Sequence, residues 1–457
     1  MTDITCFASP AIAMCAAMAA AFIRPGAKIV LTRPAFALAA AAMGAGSWFA
    51  AGRAGFCSSP LFVFDPRVLF ADTVLGAVVA LAVLEQKKRA DPAVKVCEIG
   101  TSMLFAAAAG LMLLIRAADS VLFVAAFALV SIALTVLVAS GPDRKLSASA
   151  CAREFYCGGF MTLGTLAGAI MLFCATGSCV LAPATGTGLF TAGALTLFSG
   201  LLFLAGAFPF SAVARNAVKA VDAGPGMFMT VAVPAVALLC AARLAPQIHA
   251  GGAAGGLVFA AVGALTAVSA SIAGLYQTDL RKLVACVAAA NAGWAICLFT
   301  AEQSLAQILF FLAAFMSALG GLFIVSGECG EICGSHEIAS LNGLARRAPA
   351  TALAGLLFIA VLAALPVTSG FAAKYALLAL AWGSRYPWLG AVLAGTMILT
   401  AIPLFQTAAA ILIAPRPETG AGQAVSPHFA TALLAALAVL FTLGADILYT
   451  AAEFTAR

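Results

Sequence analysis

Charge is scarce in this chain. Asp, Glu, Lys and Arg together make up 9% of its 457 residues, against roughly 25% in soluble chains. A water-soluble domain could not clothe a core of this size with so few charges, which excludes the soluble globular classes. The 13 cysteines lie mostly inside apolar segments without paired spacing, so they read as small hydrophobes rather than a disulfide framework. Histidine occurs three times, and Cys329, Cys333 and His336 in "ECGEICGSHE" match no standard zinc spacing. Dinucleotide, P-loop and nucleophile-elbow signatures are lacking, since isolated Gly-x-Gly matches are expected by chance among 42 glycines. The net charge of +6 comes from basic residues scattered over short loops, which is no nucleic-acid footprint.

What is present is apolar sequence: 64% of residues are hydrophobic and the mean hydropathy is +1.09. Stretches long enough to span a bilayer, about 17–25 residues each, recur near 8–23, 35–52, 67–85, 98–115, 119–140, 156–182, 189–213, 226–245, 253–276, 283–300, 303–326, 350–380, 388–412 and 428–450. The sequence predicts an all-α polytopic membrane protein of about 14 transmembrane helices. The N-terminus lacks a basic n-region, so its first apolar run reads as a spanning helix rather than a cleaved signal. The longest polar stretch, "GECGEICGSHEIASLNGLARRAP", reads as a loop. Seventeen of the 24 Lys and Arg fall in the loops after odd-numbered spans and five in the others. Odd loops therefore face the cytoplasm or matrix.

Two spans are interrupted alike. The seventh carries Pro209 in "LFLAGAFPFSAVARNAVKAVDAGPG", and the twelfth carries Pro366 in "LFIAVLAALPVTSGFAAKYALLALAW". They stand five helices apart, and an odd offset reverses orientation, so the pattern predicts two inverted five-helix repeats with helices 7 and 12 broken. The chain then divides into a single membrane domain of four segments: 1–97, three helices; 98–250, a first half; 251–415, an inverted second half; and 416–457, a last helix. Backbone freed at a break must be buried or face water. Just past the second break stands Lys374, and a mid-membrane lysine costs about 2.5–3.5 kcal/mol on insertion scales. It could snorkel, partner a carbonyl at the break, or relay protons. Apolar sequence on both sides argues against snorkelling.

"LAALPVTSGFAAKYALL" resembles the twelfth-helix signature of the antiporter-like membrane subunits of respiratory complex I. Upstream, "LNGLARRAP" resembles the lead-in to that helix. "GLYQTDLRKLVACVAAANAGW" is similar to the family's Gln-Thr motif between helices nine and ten. "GLLFLAGAFPFSAVARNAVKAVDAGPGMFM" resembles its seventh-helix segment, and "FVFDPRVLFADTVLG" the start of its third helix. The five motifs are collinear with the family's fourteen-helix plan. The short C-terminus and a lysine on the broken twelfth helix resemble the N-type branch (chain 2), in a divergent form. The resemblance implies a membrane-arm subunit of a proton-translocating NADH–quinone oxidoreductase, in a hetero-oligomer with other membrane-arm subunits and lipids. It also implies that this chain binds no cofactor, with NADH, FMN, iron–sulfur clusters and quinone held by partner subunits. Lys374 would be the proton relay, with Pro366, Thr368, Ser369, Tyr375 and Pro209 as broken-helix positions, and Thr368, Ser369 and Tyr375 organising water.

Departures from the family pattern concentrate in the first half. Its helix-five glutamate aligns near Ala128, its seventh-helix lysine at Leu204, its helix-eight lysine at Pro234, and the histidine after the Gln-Thr motif at Asn291. Either the alignment slips by a turn or the first half has lost its protonatable axis. No Lys or Glu lies deep in those helices to take the places, which favours divergence. Glu154 reads as a carboxylate at the start of helix six, Asp72 as structural, and Arg116 and Asp119 as partners across a short turn. Arg281 and Lys282 read as surface cations near anionic lipid, and His249 and His428 receive no role. A cation/proton antiporter subunit is the alternative, and a structural scaffold without its own proton path the second. Loss of relay residues and alanine-rich spans suit a mitochondrial inner membrane, with a bacterial plasma membrane as the alternative.

Overall fold

The computed structural model describes residues 57–58, 62–85, 94–181, 188–250, 252–300, 305–412 and 429–443, together with 36–45 and a few neighbours between 12 and 48. Among them the chain is helical apart from a two-residue hairpin, β1 (Cys57–Ser58) against β2 (Val63–Phe64), antiparallel with Cys57 opposite Phe64. The predicted span near 8–23 lies largely outside the described residues. So do loop residues Arg24, Lys28, Arg33, Arg53, Lys87, Lys88, Arg89 and Arg416, and His428.

After α1 (Phe36–Ala45) and α2 (Pro66–Leu84) come α3 (Val94–Arg116), α4 (Ser120–Ala139) and α5 (Arg144–Thr176). The first broken span is α6 (Gly188–Leu204) and α7 (Ser211–Ala220), followed by α8 (Ala223–His249). The repeat then restarts with α9 (Ala253–Leu275), α10 (Leu280–Cys297) and α11 (Leu305–Cys333). The second broken span is α12 (Pro349–Leu362) and α13 (Ser369–Gly383), with α14 (Pro387–Leu412) and α15 (Phe429–Leu443) closing the series. Nine of the described helices are long and apolar enough to cross a membrane. The architecture is that of a polytopic all-α membrane protein built on broken-helix repeats.

Four aspartates stand at helix starts, where four backbone N–H groups lack intrahelical partners. Asp65 accepts from the Val68 N–H at 3.1 Å, Asp119 from Val121 at 2.8 Å, Asp143 from Lys145 at 2.9 Å, and Asp279 from Arg281 at 3.0 Å. Such caps contribute about 1 kcal/mol each. Asp119 is thus a cap rather than the partner of Arg116. The side chain of Arg116 turns to Asp72 instead, with Nη1 donating to Oδ1 at 3.0 Å and Nη2 to Oδ2, while Ser47 Oγ donates to the same carboxylate. Both charged groups are buried, and the bidentate geometry offsets their desolvation.

Lipid offers helices no hydrophobic gain from mutual packing, so small residues set their approach. A Cβ on Gly168 of α5 would meet the Gly193 carbonyl of α6 at 2.9 Å, and one on Gly293 of α10 would meet the Gly263 carbonyl of α9 at 2.8 Å. α10 and α11 are the most enclosed spans, 94% buried, whereas α5 is 33% buried and turns Phe155, Tyr156 and Phe160 outward.

Two compact units form: residues 1–206 with 220–255, and residues 207–219 with 256–457. The short segment carrying α7 therefore belongs to the second unit. There the Phe208 N–H donates to Thr266 Oγ1 at 3.1 Å and Lys219 Nζ pairs with Asp279 at 3.1 Å.

Two boundaries and one helix interior differ from the sequence reading. The sixth span begins at Arg144 rather than near 156, because Asp143 caps it. Glu154 is therefore a buried residue within the helix, not a carboxylate at its start. α11 runs on to Cys333, so the apparent loop from Gly327 begins as helix and carries Glu328 inside it. Within α8, Phe228–Ala232 form a π turn just before Pro234. Proline offers no N–H to the preceding turn, and a wider turn accommodates that loss.

Candidate functional site

In the twelfth span the chain leaves helical geometry after Leu362 and resumes it at Ser369. Ala364 and Val367 adopt φ of 55° and 80°. Left-handed backbone at non-glycine residues costs on the order of 1–3 kcal/mol each and persists only where the surroundings enforce it. Thr368 caps α13, its Oγ1 accepting from the Phe371 N–H at 3.3 Å. Gly370 lies so close to the Val361 carbonyl that no side chain would fit.

The proline and the lysine are parts of one device. In an unbroken helix the Leu362 carbonyl would accept from the N–H of residue 366. That residue is Pro366, which has none. Lys374 Nζ donates to the Leu362 oxygen instead, at 3.2 Å. The lysine is 2% exposed, and its ammonium lies 5.5 Å from the Trp294 ring centroid and 5.2 Å from that of Phe315. Aromatic faces attract a cation without offering it a counter-charge. Trp294 is itself fixed, its Nε1 donating to Thr396 Oγ1 at 3.1 Å.

The surrounding shell is sparsely polar. Asn291, one turn before Trp294 on α10, is buried, and its Nδ2 has no hydrogen-bond partner among the described residues. The same holds for the hydroxyls of Ser317 on α11 and Ser369 at the start of α13. These are the groups on which water could order near Lys374.

Of the residues singled out from sequence, Lys374, Pro366 and Leu362 meet at the break, with Thr368 as cap and Ser369 buried beside it. Tyr375 does not join them. It is 63% exposed and stacked on Phe371 at 5.9 Å, because the residue after an inward-facing one is turned about 100° around the helix. Pro209 stands in the other break, exposed, after a cis Phe208–Pro209 peptide bond. No lysine accompanies it: Leu204, the last residue of α6, is buried. Arg281 is buried rather than a surface cation, its guanidinium 6.0 Å from the Phe323 ring.

The burial of two carboxylates, Glu328 and the Glu154 read as a helix-start carboxylate, was not evident from sequence. Glu328 accepts hydrogen bonds from Thr351 Oγ1 at 2.9 Å and from Thr431 Oγ1. The continuing apolar face, with Cys329 fully buried just beyond it, was the signal that α11 extends this far. Glu154 is 5% exposed on α5, and no hydrogen bond or ion pair reaches it among the described residues.

Comparison with known proteins is consistent across sequence and structure. Residues 117–400 match the family model described as NADH:quinone oxidoreductase/Mrp antiporter, transmembrane. A Paenibacillus protein named NADH-quinone oxidoreductase subunit N is 28% identical over 322 residues, covering 65% of this chain and 62% of that protein. The chain thus spans less than two thirds of that relative's length. Among solved structures, a chain of respiratory complex I from Thermus thermophilus superposes with a TM-score of 0.82 at 24% identity, covering 98% of this chain and 99% of that one. A chain of the Mrp complex from Dietzia gives a TM-score of 0.82 at 17% identity, covering 99% and 97%. At those identities the structural likenesses establish the fold. The family match extends over more than half of the sequence, through both broken spans and Lys374, and the chain belongs to the NADH:quinone oxidoreductase/Mrp antiporter transmembrane family.

Proposed function

We propose that this chain is a membrane-arm subunit of a proton-translocating NADH–quinone oxidoreductase, of the N type, and that Lys374 relays protons within it. The observation that carries the reading is the buried Lys374 ammonium on a carbonyl left open by Pro366, with aromatic faces beside it and no carboxylate paired with it among the described residues. An amine so placed, on an oxygen acceptor and away from lipid, is the type of group that carries protons across the membrane interior. The name of the Paenibacillus relative supports the assignment to subunit N. In this reading electron transfer belongs to partner subunits that hold NADH, flavin, iron–sulfur clusters and quinone. The division at 98–250 and 251–415 marks the two antiporter-like halves, the first without its relay lysines. Because the Paenibacillus relative is bacterial, we place the chain in a bacterial plasma membrane rather than a mitochondrial one.

The family description also names Mrp antiporters, which makes a cation/proton antiporter subunit the second reading. It requires bound ion and counter-charge together near mid-membrane, and the aromatic shell of Lys374 supports it less well. The test is native electrophoresis of source membranes with in-gel NADH dehydrogenase staining and mass spectrometry of the band, followed by proton-pumping assays on Lys374→Ala. Comigration with activity and a lowered proton yield are expected. Migration with antiporter partners would overturn the assignment, and unchanged pumping would favour a scaffold role.

A further inference from the structure

A second buried ionisable group lies on the helix pair that holds Lys374. α11 and α12 run antiparallel in a regular register: Glu328 meets Thr351, Val325 lies against Gly355, and Gly321 meets the Phe358 ring. Further along the same seam, Leu362 of α12 and Phe315 of α11 both touch Lys374. A carboxylate thus stands at one end of a single seam and the lysine at the other. The eleven residues from Thr351 to Leu362 set their separation at about 16 Å along the axis at 1.5 Å per residue.

The middle of the seam is closed. Phe358 is fully buried and rests so tightly on Gly321 that a Cβ there would collide with its ring. Ser317, one turn from Gly321 toward the lysine, presents a buried hydroxyl without a partner among the described residues. Glu328 sits five residues before the end of α11, and the chain that follows carries Arg346 and Arg347. By the distribution of basic loops that end faces the cytoplasm.

We propose that Glu328 is the proton-exchange residue that loads Lys374 from the cytoplasmic side, with Phe358 on Gly321 as the closure between them. The inference rests on the relay role of Lys374 given above. When the ring moves off Gly321, water bridges the seam past Ser317. The Glu328 carboxyl then releases its proton into the chain of waters, and the Lys374 amine takes one from the far end. A carboxylate and an ammonium result. The carboxylate regains its proton from the cytoplasm, and Thr351 and Thr431 hold it by hydrogen bonds while it is ionised.

The test compares Glu328→Gln, Glu328→Asp and Lys374→Ala in the assembled complex reconstituted in liposomes. It reads protons moved per NADH alongside the rate of electron transfer. Glutamine keeps an acceptor for the threonines but cannot exchange the proton. Glu328→Gln is expected to lower the proton yield as far as Lys374→Ala does, and Glu328→Asp to recover at least half of the loss. A wild-type yield in Glu328→Gln beside a lowered one in Lys374→Ala overturns the inference and leaves the relay intact. Wild-type yields in both overturn the relay reading itself. Should Glu328→Gln fail to assemble, dicyclohexylcarbodiimide, which reacts with protonated carboxyls in apolar surroundings, is applied to wild-type membranes. Modification of Glu328 found by mass spectrometry supports the proposal, and its absence overturns it.

Discussion

The two broken spans are built on one plan and furnished differently. Each has a helix, a proline in the turn, and a second helix resuming beyond it. In the second, the carbonyl opened by Pro366 is taken by Lys374. In the first, α6 ends on buried Leu204, and the turn closes on itself through backbone bonds from Ala205 to Leu201 and from Phe210 to Ala207. The break thus persists where, among the described residues, no cation is bonded to its turn. Its shape belongs to the fold, and the ammonium is an addition that one half carries and the other does without.

The largest effect should come from a charge with no part in either break. Asp72→Ala leaves the Arg116 guanidinium buried without its partner, which costs about 3–5 kcal/mol. Loss of the chain from membranes is expected by immunoblot, with recovery in a double variant replacing both residues by apolar ones. Leu204→Lys would place a cation on the helix that leads into the first break. The added charge is expected to cost about 2.5–3.5 kcal/mol and to lower thermal stability in detergent without raising proton yield. A stable variant with higher yield would mean that the first half lacks only its lysine.

Pro366→Ala offers Leu362 a backbone donor and frees Lys374 from its carbonyl. Proton yield should fall while assembly holds, whereas Pro209→Ala should leave yield unchanged. Equal effects would erase the distinction between the breaks. Thr368→Ala removes the cap of α13 and is expected to cost about 1 kcal/mol, read as a small drop in melting temperature. Lys219→Ala breaks an ion pair whose lysine is 37% exposed, and a change below about 1 kcal/mol is expected.

The helices and both breaks were legible because their signals are local. Apolar runs of spanning length, a proline within them and an aspartate before them are each written within a few residues. What was not legible depends on distance or on burial. The pairing of Arg116 with Asp72 joins positions 44 residues apart, while the nearer Asp119 is occupied by the Val121 N–H. Glu154 and Glu328 resemble loop carboxylates in sequence because each sits near the polar end of an apolar run. Only the cap at Asp143 and the length of α11 place them inside helices. The inward turn of Lys374 follows from its cost in lipid, yet the outward turn of Tyr375 needed the helix phase.

The membership of residues 207–219 in the second unit bears on how the chain is made. Lys219 leaves the ribosome about 60 residues ahead of Asp279, its ion-pair partner. At roughly 5–20 residues per second, α7 waits on the order of seconds before its neighbours exist. During that interval a basic, amphipathic segment must be sheltered by the insertion machinery or lie along the membrane surface. A nascent chain halted just after residue 255 would therefore hold every residue of the first unit and one stranded helix, a state that quality-control proteases can distinguish from the finished protein.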